Sequence, residues 1–139
     1  MRILVNTLAV IGLALIASLA LASDSDTVLT PCPDSPNCVS SLESGDHHVA
    51  ALVGKGSRDA SLAALASALD SLPRVDWQQV GDDRIEATFT SLVFRFVDDV
   101  ALVVHEDGRI DVRSASRVGH YDFGANRRRV ETLRDMLNQ

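Results

Sequence analysis

The 139-residue sequence lacks the short motifs of the common hydrolases, since G-x-S-x-G, S-x-x-K and H-E-x-x-H are all absent. Standard serine-hydrolase and zinc-protease sites are therefore excluded. Lysine is almost missing as well, because Lys55 is the single lysine among 13 basic residues. The positive charge is thus carried by guanidinium groups, which suit bidentate binding of carboxylate or phosphate.

Cysteine is scarce, and Cys32 and Cys38 lie close together in the segment PCPDSPNCVSS. The C-x-x-C spacing of redox-active pairs is absent, and C-x5-C with dispersed histidines fits no standard zinc spacing, although zinc remains an alternative. The intervening prolines and polar residues favour tight turns, and an oxidising compartment would join the thiols. The sequence therefore predicts a local disulfide, no metal site and no cofactor.

A long apolar run occurs at the N-terminus, where residues 8–22 follow Arg2 and end in the A-x-A site Ala20-Leu21-Ala22. This arrangement is typical of a secretory signal peptide. An uncleaved anchor counted from Ile3 remains an alternative, as does a lipoprotein modified at Cys32, which the directly preceding proline disfavours. We expect residues 1–22 to be cleaved and the protein to be exported, either to the periplasm or as a secreted protein.

The composition is acidic, with 13 basic against 19 acidic residues and a formal net charge of −6. Cleavage after residue 22 removes Arg2 alone and makes the chain one unit more acidic. This balance argues against nucleic acid as a partner. The exception is the segment from Arg109 to the C-terminus, which holds seven arginines against four acidic residues.

Apolar periodicity predicts a single α+β domain at 47–139, after an extended arm at 23–46 that contains the disulfide loop. Ser57 caps a helix that Pro73 ends, and a last helix begins near Arg127 with Asn126 as its cap. The strands are predicted at His48–Val53, Val75–Val80, Arg84–Thr90, a segment ending at Val104, and Arg109–Ser114. This order predicts an antiparallel sheet of about four to five strands packed with two helices in a two-layer sandwich.

Side-chain parity assigns the faces of the later strands. One inward-facing series is predicted to contain Phe94, Phe96, Val100, Leu102 and Val104. Asp98 shares that parity, so it points into the core unless a bulge intervenes, and a buried carboxylate needs a cation or several donors. In the last strand Ile110 and Val112 are predicted to face inward, and Asp111 and Arg113 outward.

Three segments, PCPDSPNCVSS, FRFVDDV and VRSASRVGHYDFGANRRRVE, resemble signature segments of the family known as DUF1499. The resemblance runs from Pro31 to the C-terminal helix. It implies no activity, because the family has no assigned function, and its members are often exported or membrane-associated bacterial proteins, with relatives in plastids. The matching residues are Cys32, Pro36, Asn37, Cys38, Asp98, Asp99, Arg113, Ser114, Ser116, Arg117, Gly119, Asp122, Gly124, Asn126 and Arg127.

Polar residues are densest between Arg113 and Arg129. Gly119 and Gly124 bound a loop whose backbone N–H groups can approach a ligand, and the following helix N-terminus adds further amides. Consecutive helical residues diverge by about 100°, so Arg127, Arg128 and Arg129 cannot all address one pocket. We predict a site for a phosphate, carboxylate or lipid-headgroup anion. Its candidate residues are Arg113, Ser114, Ser116, Arg117, Arg127 and Arg128.

Two other interpretations remain. The same arginines can pair internally with Asp98, Asp99 and Asp122, which would make the protein a structural or interaction module. A hydrolase using Ser114 or Ser116 with His120 is the third, and no catalytic residue is assigned. The leading interpretation is a non-enzymatic module that binds an anionic small molecule, a lipid headgroup or an envelope partner. Membrane association is expected only through an uncleaved N-terminal segment.

Overall fold

The structure, a computed structural model, describes residues 28–139. The predicted signal peptide at 1–22 and the start of the predicted arm lie outside the described residues. The strands are β1 Cys38–Ser40, β2 Leu52–Val53, β3 Val75–Val80, β4 Arg84–Thr90, β5 Val97–Val104 and β6 Arg109–Ser116, and the helices are α1 Arg58–Asp70 and α2 Ala125–Leu137. The predicted α+β class is confirmed. Between residues 28 and 139 no helix has the length and apolarity needed to cross a membrane.

The described strands form one antiparallel sheet in the order β1-β6-β5-β4-β3, and β2 pairs with β6 beside β1. Both helices pack on one face of this sheet. Their buried leucines, among them Leu65, Leu69 and Leu133, join Ile85, Leu102 and Ile110 of the strands in a single core. The opposite face carries polar and charged side chains, and we call it the open face. The predicted two-layer arrangement is therefore confirmed.

Local signals set the first helix and the hairpins as predicted. The Ser57 hydroxyl accepts a hydrogen bond from the Ala60 N–H, which caps α1, and Leu62, Leu65 and Leu69 recur at helical spacing on its buried side. Gly81, with φ of +65°, supplies the left-handed residue of the turn between β3 and β4. The alternation in β4 places Ile85 and Ala87 in the core.

The predicted arm and first strand differ from the structure. Cys38–Ser40, predicted to be part of the arm, is a strand of the sheet, and its central residue Val39 pairs with Ser114 of β6. The predicted strand His48–Val53 is shorter in the structure and consists of Leu52–Val53. The predicted disulfide between Cys32 and Cys38 is confirmed, with the two Cα atoms 5.7 Å apart. It ties the residues before β1 to the sheet edge. Residues 28–139 contain no cluster of three or more metal-ligating side chains.

One parity prediction is wrong. Phe94 and Phe96 are exposed, because the loop between β4 and β5 lasts until Phe96 and the buried series begins only in β5. Asp111 lies on the face opposite Ile110 and Val112 as predicted, but it is buried because the chain after β1 covers that part of β6. There the Ser41 hydroxyl donates to the Asp111 carboxylate at 2.9 Å, and Arg109 contributes an ion pair at 2.8 Å.

Candidate functional site

The six predicted anion-site residues do not share one pocket. β6 alternates between the two faces, so Ser114 and Ser116 point toward the helices while Arg113 points to the open face. Arg117, just past the end of β6, also lies on the open face. The predicted set is thus divided between a buried polar network under α2 and a groove on the other side of the sheet.

The buried network is centred on Asn126, which has no exposed surface. Its side-chain oxygen accepts from the Ser114 hydroxyl at 2.7 Å. Its Nδ2 donates to the Asn37 carbonyl at 3.1 Å, to the Ser116 hydroxyl at 2.9 Å and to Asp122 at 2.8 Å. One amide therefore joins the chain before β1, the strand β6 and the start of α2.

Asp98 is buried as parity predicted, and its cation is Arg129. The Arg129 Nη2 lies 2.6 Å from the Asp98 carboxylate, and both side chains are largely shielded, at 14% and 12% exposure. The Arg129 Nη1 donates to the Ser114 hydroxyl at 3.0 Å and to the Asn126 oxygen at 2.8 Å, and its guanidinium stacks on the Phe89 ring. Arg129 is therefore part of the internal network, although it was left out of the predicted site.

The two arginines that precede Arg129 in α2 bind backbone carbonyls. Arg127 donates to the carbonyls of His48 at 2.8 Å and Asp46 at 2.7 Å. Arg128 donates to the Phe123 carbonyl at 2.7 Å. Together with Asp98, which pairs with Arg129, these acceptors compensate three cations at the positive end of a helix dipole, where cations are otherwise unfavourable. The anion-binding role predicted for Arg127 and Arg128 gains no support from their positions.

The start of α2 differs from the prediction that Asn126 is its cap. The helix begins at Ala125, Gly124 adopts φ of +78° before it, and Asn126 is the second helical residue. Asp122 does the capping, since its carboxylate accepts from the N–H of Gly124 at 2.9 Å and of Asn126 at 3.0 Å. A negative charge at this position also stabilises the helix dipole.

The Asp122 cap predicts an acid-sensitive contribution to stability. Burial raises the pKa of Asp122, but hydrogen bonds from the Asn126 backbone and side chain and from Gly124 outweigh it, so the pKa lies below its ordinary value. The stabilising contribution is therefore present above the unfolded-state pKa of about 4 and is lost as the pH falls through the folded-state value. We expect Asp122→Asn to lower the free energy of unfolding at neutral pH, and the difference from wild type to shrink on acidification.

Urea unfolding of both proteins across the acidic range measures this difference. Asp135→Asn is the matched control, because it removes an exposed carboxylate from the same helix. A difference for Asp122→Asn that stays constant at every pH would contradict the charged cap.

The open-face groove has a volume of about 490 Å³ and lies across β3, β4, β5 and β6. Its charged side chains are Asp76, Arg84, Glu86, Asp99, Arg113 and Arg117. Two pairs are formed among them: Arg84 binds Glu86 at 3.0 Å, and Arg117 binds both oxygens of Asp99 at 2.8 Å. The residues that β3 and β4 contribute to the groove do not belong to the predicted anion site.

Arg113 is the groove residue with an unmet hydrogen-bonding group. Its Nε is buried and has no partner within residues 28–139, and its Nη2 reaches the Pro31 carbonyl only at 3.5 Å. Burial lowers the pKa of Arg113, and the charges of Asp99 and Glu43 offset this only in part. The guanidinium is thus desolvated more than its protein partners compensate.

Within residues 28–139, no hydrogen bond joins Ser114 or Ser116 to His120. Ser114 is fully buried and its hydroxyl is bound to Asn126. Ser116 is bound to the same amide. His120 is exposed and packs edge-on against Tyr121, with ring centroids 4.6 Å apart. Within the described residues, this geometry offers no nucleophile and base in contact.

A family model described as a protein of unknown function, DUF1499, matches residues 28–137, which is most of the chain. The chain belongs to the DUF1499 family. A comparison with curated proteins finds no match. Membership in DUF1499 therefore supports the fold-wide resemblance and assigns no activity.

The segments that resemble DUF1499 meet in three dimensions at the buried network. The N-terminal segment contributes Asn37, the FRFVDDV segment contributes Asp98, and the last segment contributes Asn126 with its partners. The sequence did contain a signal for Arg129, because it lies four residues before Leu133 and hence on the buried stripe of α2. The roles of Asn37 and Asn126 had no comparable signal, since their contact links residues 89 positions apart.

Proposed function

We propose that the domain binds a small molecule through a carboxylate or phosphate group held by Arg113 in the open-face groove. The observation that supports the proposal is the buried Arg113 Nε without a partner in the described residues. A guanidinium offers N–H groups in a fixed planar arrangement that matches two oxygens of such an anion.

The energetic argument rests on desolvation. A buried polar group without a partner is destabilising, and proteins rarely retain one without a compensating interaction. An anionic ligand would supply both the acceptor for Nε and the charge that the surroundings of Arg113 only partly provide. The groove, at about 490 Å³, falls in the size range of small-molecule sites.

The remaining charges of the groove favour direct contact between the ligand's anionic group and Arg113 over long-range electrostatic attraction of anions. Arg117 is already bound to Asp99, and Arg84 is bound to Glu86. Long-range attraction is weak, since acidic and basic side chains are equally represented in the groove and the whole chain is acidic. We therefore expect affinity to depend steeply on Arg113 alone.

Thermal-shift titration of the oxidised domain against phosphate, citrate and nucleotides tests the proposal. A ligand at 100 times its Kd adds about 2.7 kcal/mol of stability, which corresponds to a shift of several degrees. We expect Arg113→Met to weaken binding by about 10- to 100-fold, as for loss of a charged hydrogen bond. We also expect this variant to fold with unchanged or higher stability, because it removes a half-buried charge that its protein partners compensate only in part.

Arg127→Met is the comparison that decides the location. Its guanidinium lies outside the groove and binds two carbonyls, so ligand affinity should persist. Loss of binding in Arg127→Met with retention in Arg113→Met would place the ligand at α2 and overturn the proposal. So would a set of anions none of which shifts the melting temperature.

A structural role is the second candidate for the remaining arginines. The buried pair of Arg129 with Asp98, and the carbonyl contacts of Arg127, support it. The two roles are compatible, because they belong to opposite faces of the sheet. The hydrolase interpretation is not proposed, since nothing in the described contacts favours it.

A further inference from the structure

Exposed apolar side chains are concentrated at one end of the sheet. Seven of the ten large hydrophobic residues exposed within residues 28–139 come from two loops, one between β4 and β5 and the other between β6 and α2. We call this set the aromatic tip; it comprises Leu92, Val93, Phe94, Phe96, Val118, Tyr121 and Phe123. The loops adjoin, because the Arg117 N–H donates to the Val97 carbonyl at 3.1 Å. Such a concentration marks an interaction surface.

Hydrogen bonds and backbone conformation in the tip loops hold these side chains in solvent. Ser91 closes the first loop on itself, since its N–H donates to the Phe96 carbonyl at 2.8 Å and its hydroxyl accepts from the Phe96 N–H at 2.9 Å. Arg95 and Phe123 adopt positive φ values of 56° and 53°, which side chains rarely do. Phe123 is 88% exposed. Backbone strain and solvent exposure at the same residue point to a function outside the folding of the domain.

Charge distinguishes the tip from the far end of the sheet. The two tip loops contain Arg95 and Arg117. Arg117 is bound to Asp99, whereas Arg95 forms no ion pair within residues 28–139, and the one acidic residue of the loops, Asp122, is directed to the N–H groups of α2. The turns at the far end, joined by a hydrogen bond from the Val104 N–H to the Asp83 carbonyl, carry four acidic residues: Asp82, Asp83, Glu106 and Asp107. Of these, Glu106 pairs with Arg58 at 2.8 Å. The domain is therefore polarised along its strands, although its total charge is negative.

We propose that the aromatic tip docks on an anionic lipid surface. Phenylalanine, tyrosine, leucine and valine flanked by arginine are the residue types that enter the boundary between headgroups and acyl chains. A fluid surface accommodates separately protruding side chains, and the polarised charge turns the basic tip toward anionic headgroups and the acidic end away. A second copy of the chain fits less well, because a symmetric contact would bring the Arg95 side chains of the two copies together. This contact would be independent of any N-terminal membrane segment.

Vesicle flotation of the folded domain tests the proposal. We expect association with vesicles of equimolar phosphatidylcholine and phosphatidylglycerol, and weaker association with phosphatidylcholine alone. Phe94→Ser with Phe123→Ser should lower the partition coefficient by about 100-fold, because each phenylalanine that enters an apolar phase contributes about tenfold. Arg95→Gln should lower binding to the anionic vesicles by about fivefold, the effect of one basic residue near the surface.

Two valines of similar exposure provide a matched pair of test variant and control. Val93 belongs to the tip and is 74% exposed, whereas Val53 lies in β2 and is 71% exposed. Val93→Ser should weaken vesicle binding and Val53→Ser should not. Arg113→Met should also leave vesicle binding unchanged, which keeps this test separate from the proposed groove ligand.

Equal binding by Val93→Ser, Val53→Ser and the double phenylalanine variant would overturn the proposal. Self-association in the absence of lipid, abolished by the same tip variants and accompanied by no vesicle binding, would overturn it in favour of a second copy of the chain. Binding by a soluble protein with no flotation would do so in favour of a protein partner.

Discussion

Arg129→Met is expected to lower the free energy of unfolding by about 3–5 kcal/mol, because it leaves the Asp98 carboxylate buried without its cation. Because methionine keeps much of the apolar length of the side chain, the decrease in the free energy of unfolding measures the contribution of the guanidinium. That group holds Asp98 at 2.6 Å and also binds Ser114 and Asn126. Urea unfolding at neutral pH measures the difference.

Arg128→Met is the matched control for Arg129. The two arginines are adjacent, but Arg128 is exposed and makes one hydrogen bond to a carbonyl, so its replacement should change stability by less than about 0.5 kcal/mol. Adding Asp98→Asn to Arg129→Met should restore part of the lost stability, since it removes the stranded charge. If Arg128→Met were as destabilising as Arg129→Met, the effect would belong to the helix N-terminus and not to the buried pair.

The parts of the fold that follow from local rules were predictable. Ser57 and Pro73 bound α1 because capping and the missing proline N–H act within a few residues. The alternation in Arg84–Thr90 identified its buried face because one side of the strand packs against the helices. Parity also placed Asp98 inside, which correctly implied that the core contains a cation or donors for it.

Parity failed where the chain left the sheet. Phe94 and Phe96 extend the pattern of Val100 and Leu102, yet the strand begins after them, and alternation does not distinguish a core phenylalanine from one held outward by a loop. The predicted site contains both Arg113 and Ser114, which are neighbours in sequence but lie on opposite faces of β6. Side chains at adjacent strand positions point to opposite faces.

Contacts between segments that are distant in sequence could not be predicted from the sequence. The groove needs β3, β4 and β6 together, and the register that places Arg113 opposite Ala101 arises only in the sheet. The burial of Asp111 likewise depends on Ser41, 70 residues earlier. Such pairings leave no periodic trace in a single chain, so both the groove and the buried network required the structure.

Asn126→Ala should be the most destabilising change of an uncharged residue in the network, at about 3 kcal/mol. The amide bonds five groups, and removing it takes the acceptor from the buried Ser114 hydroxyl. It also takes one of two donors from the Asn37 carbonyl, which keeps the Ser116 N–H. Each buried polar group left unsatisfied costs about 1–3 kcal/mol. Because Asn126 connects the chain before β1 to β6 and α2, we also expect faster hydrogen exchange in β1, which is short and lies at the edge of the sheet.

Asn138→Ala provides the control for this change, because it makes the same substitution at an exposed position just after α2 and should alter stability by less than about 0.5 kcal/mol. Ser116→Ala should give an intermediate loss of about 1 kcal/mol, since Ser116 supplies one acceptor to the amide and is partly accessible to water. Equal stability of Asn126→Ala and wild type would mean that water replaces the amide and that the network does not hold the three segments together. A larger loss in Asn126→Ala than in both other variants, with β1 exchanging first, would show that this amide joins the chain before β1 to β6 and α2.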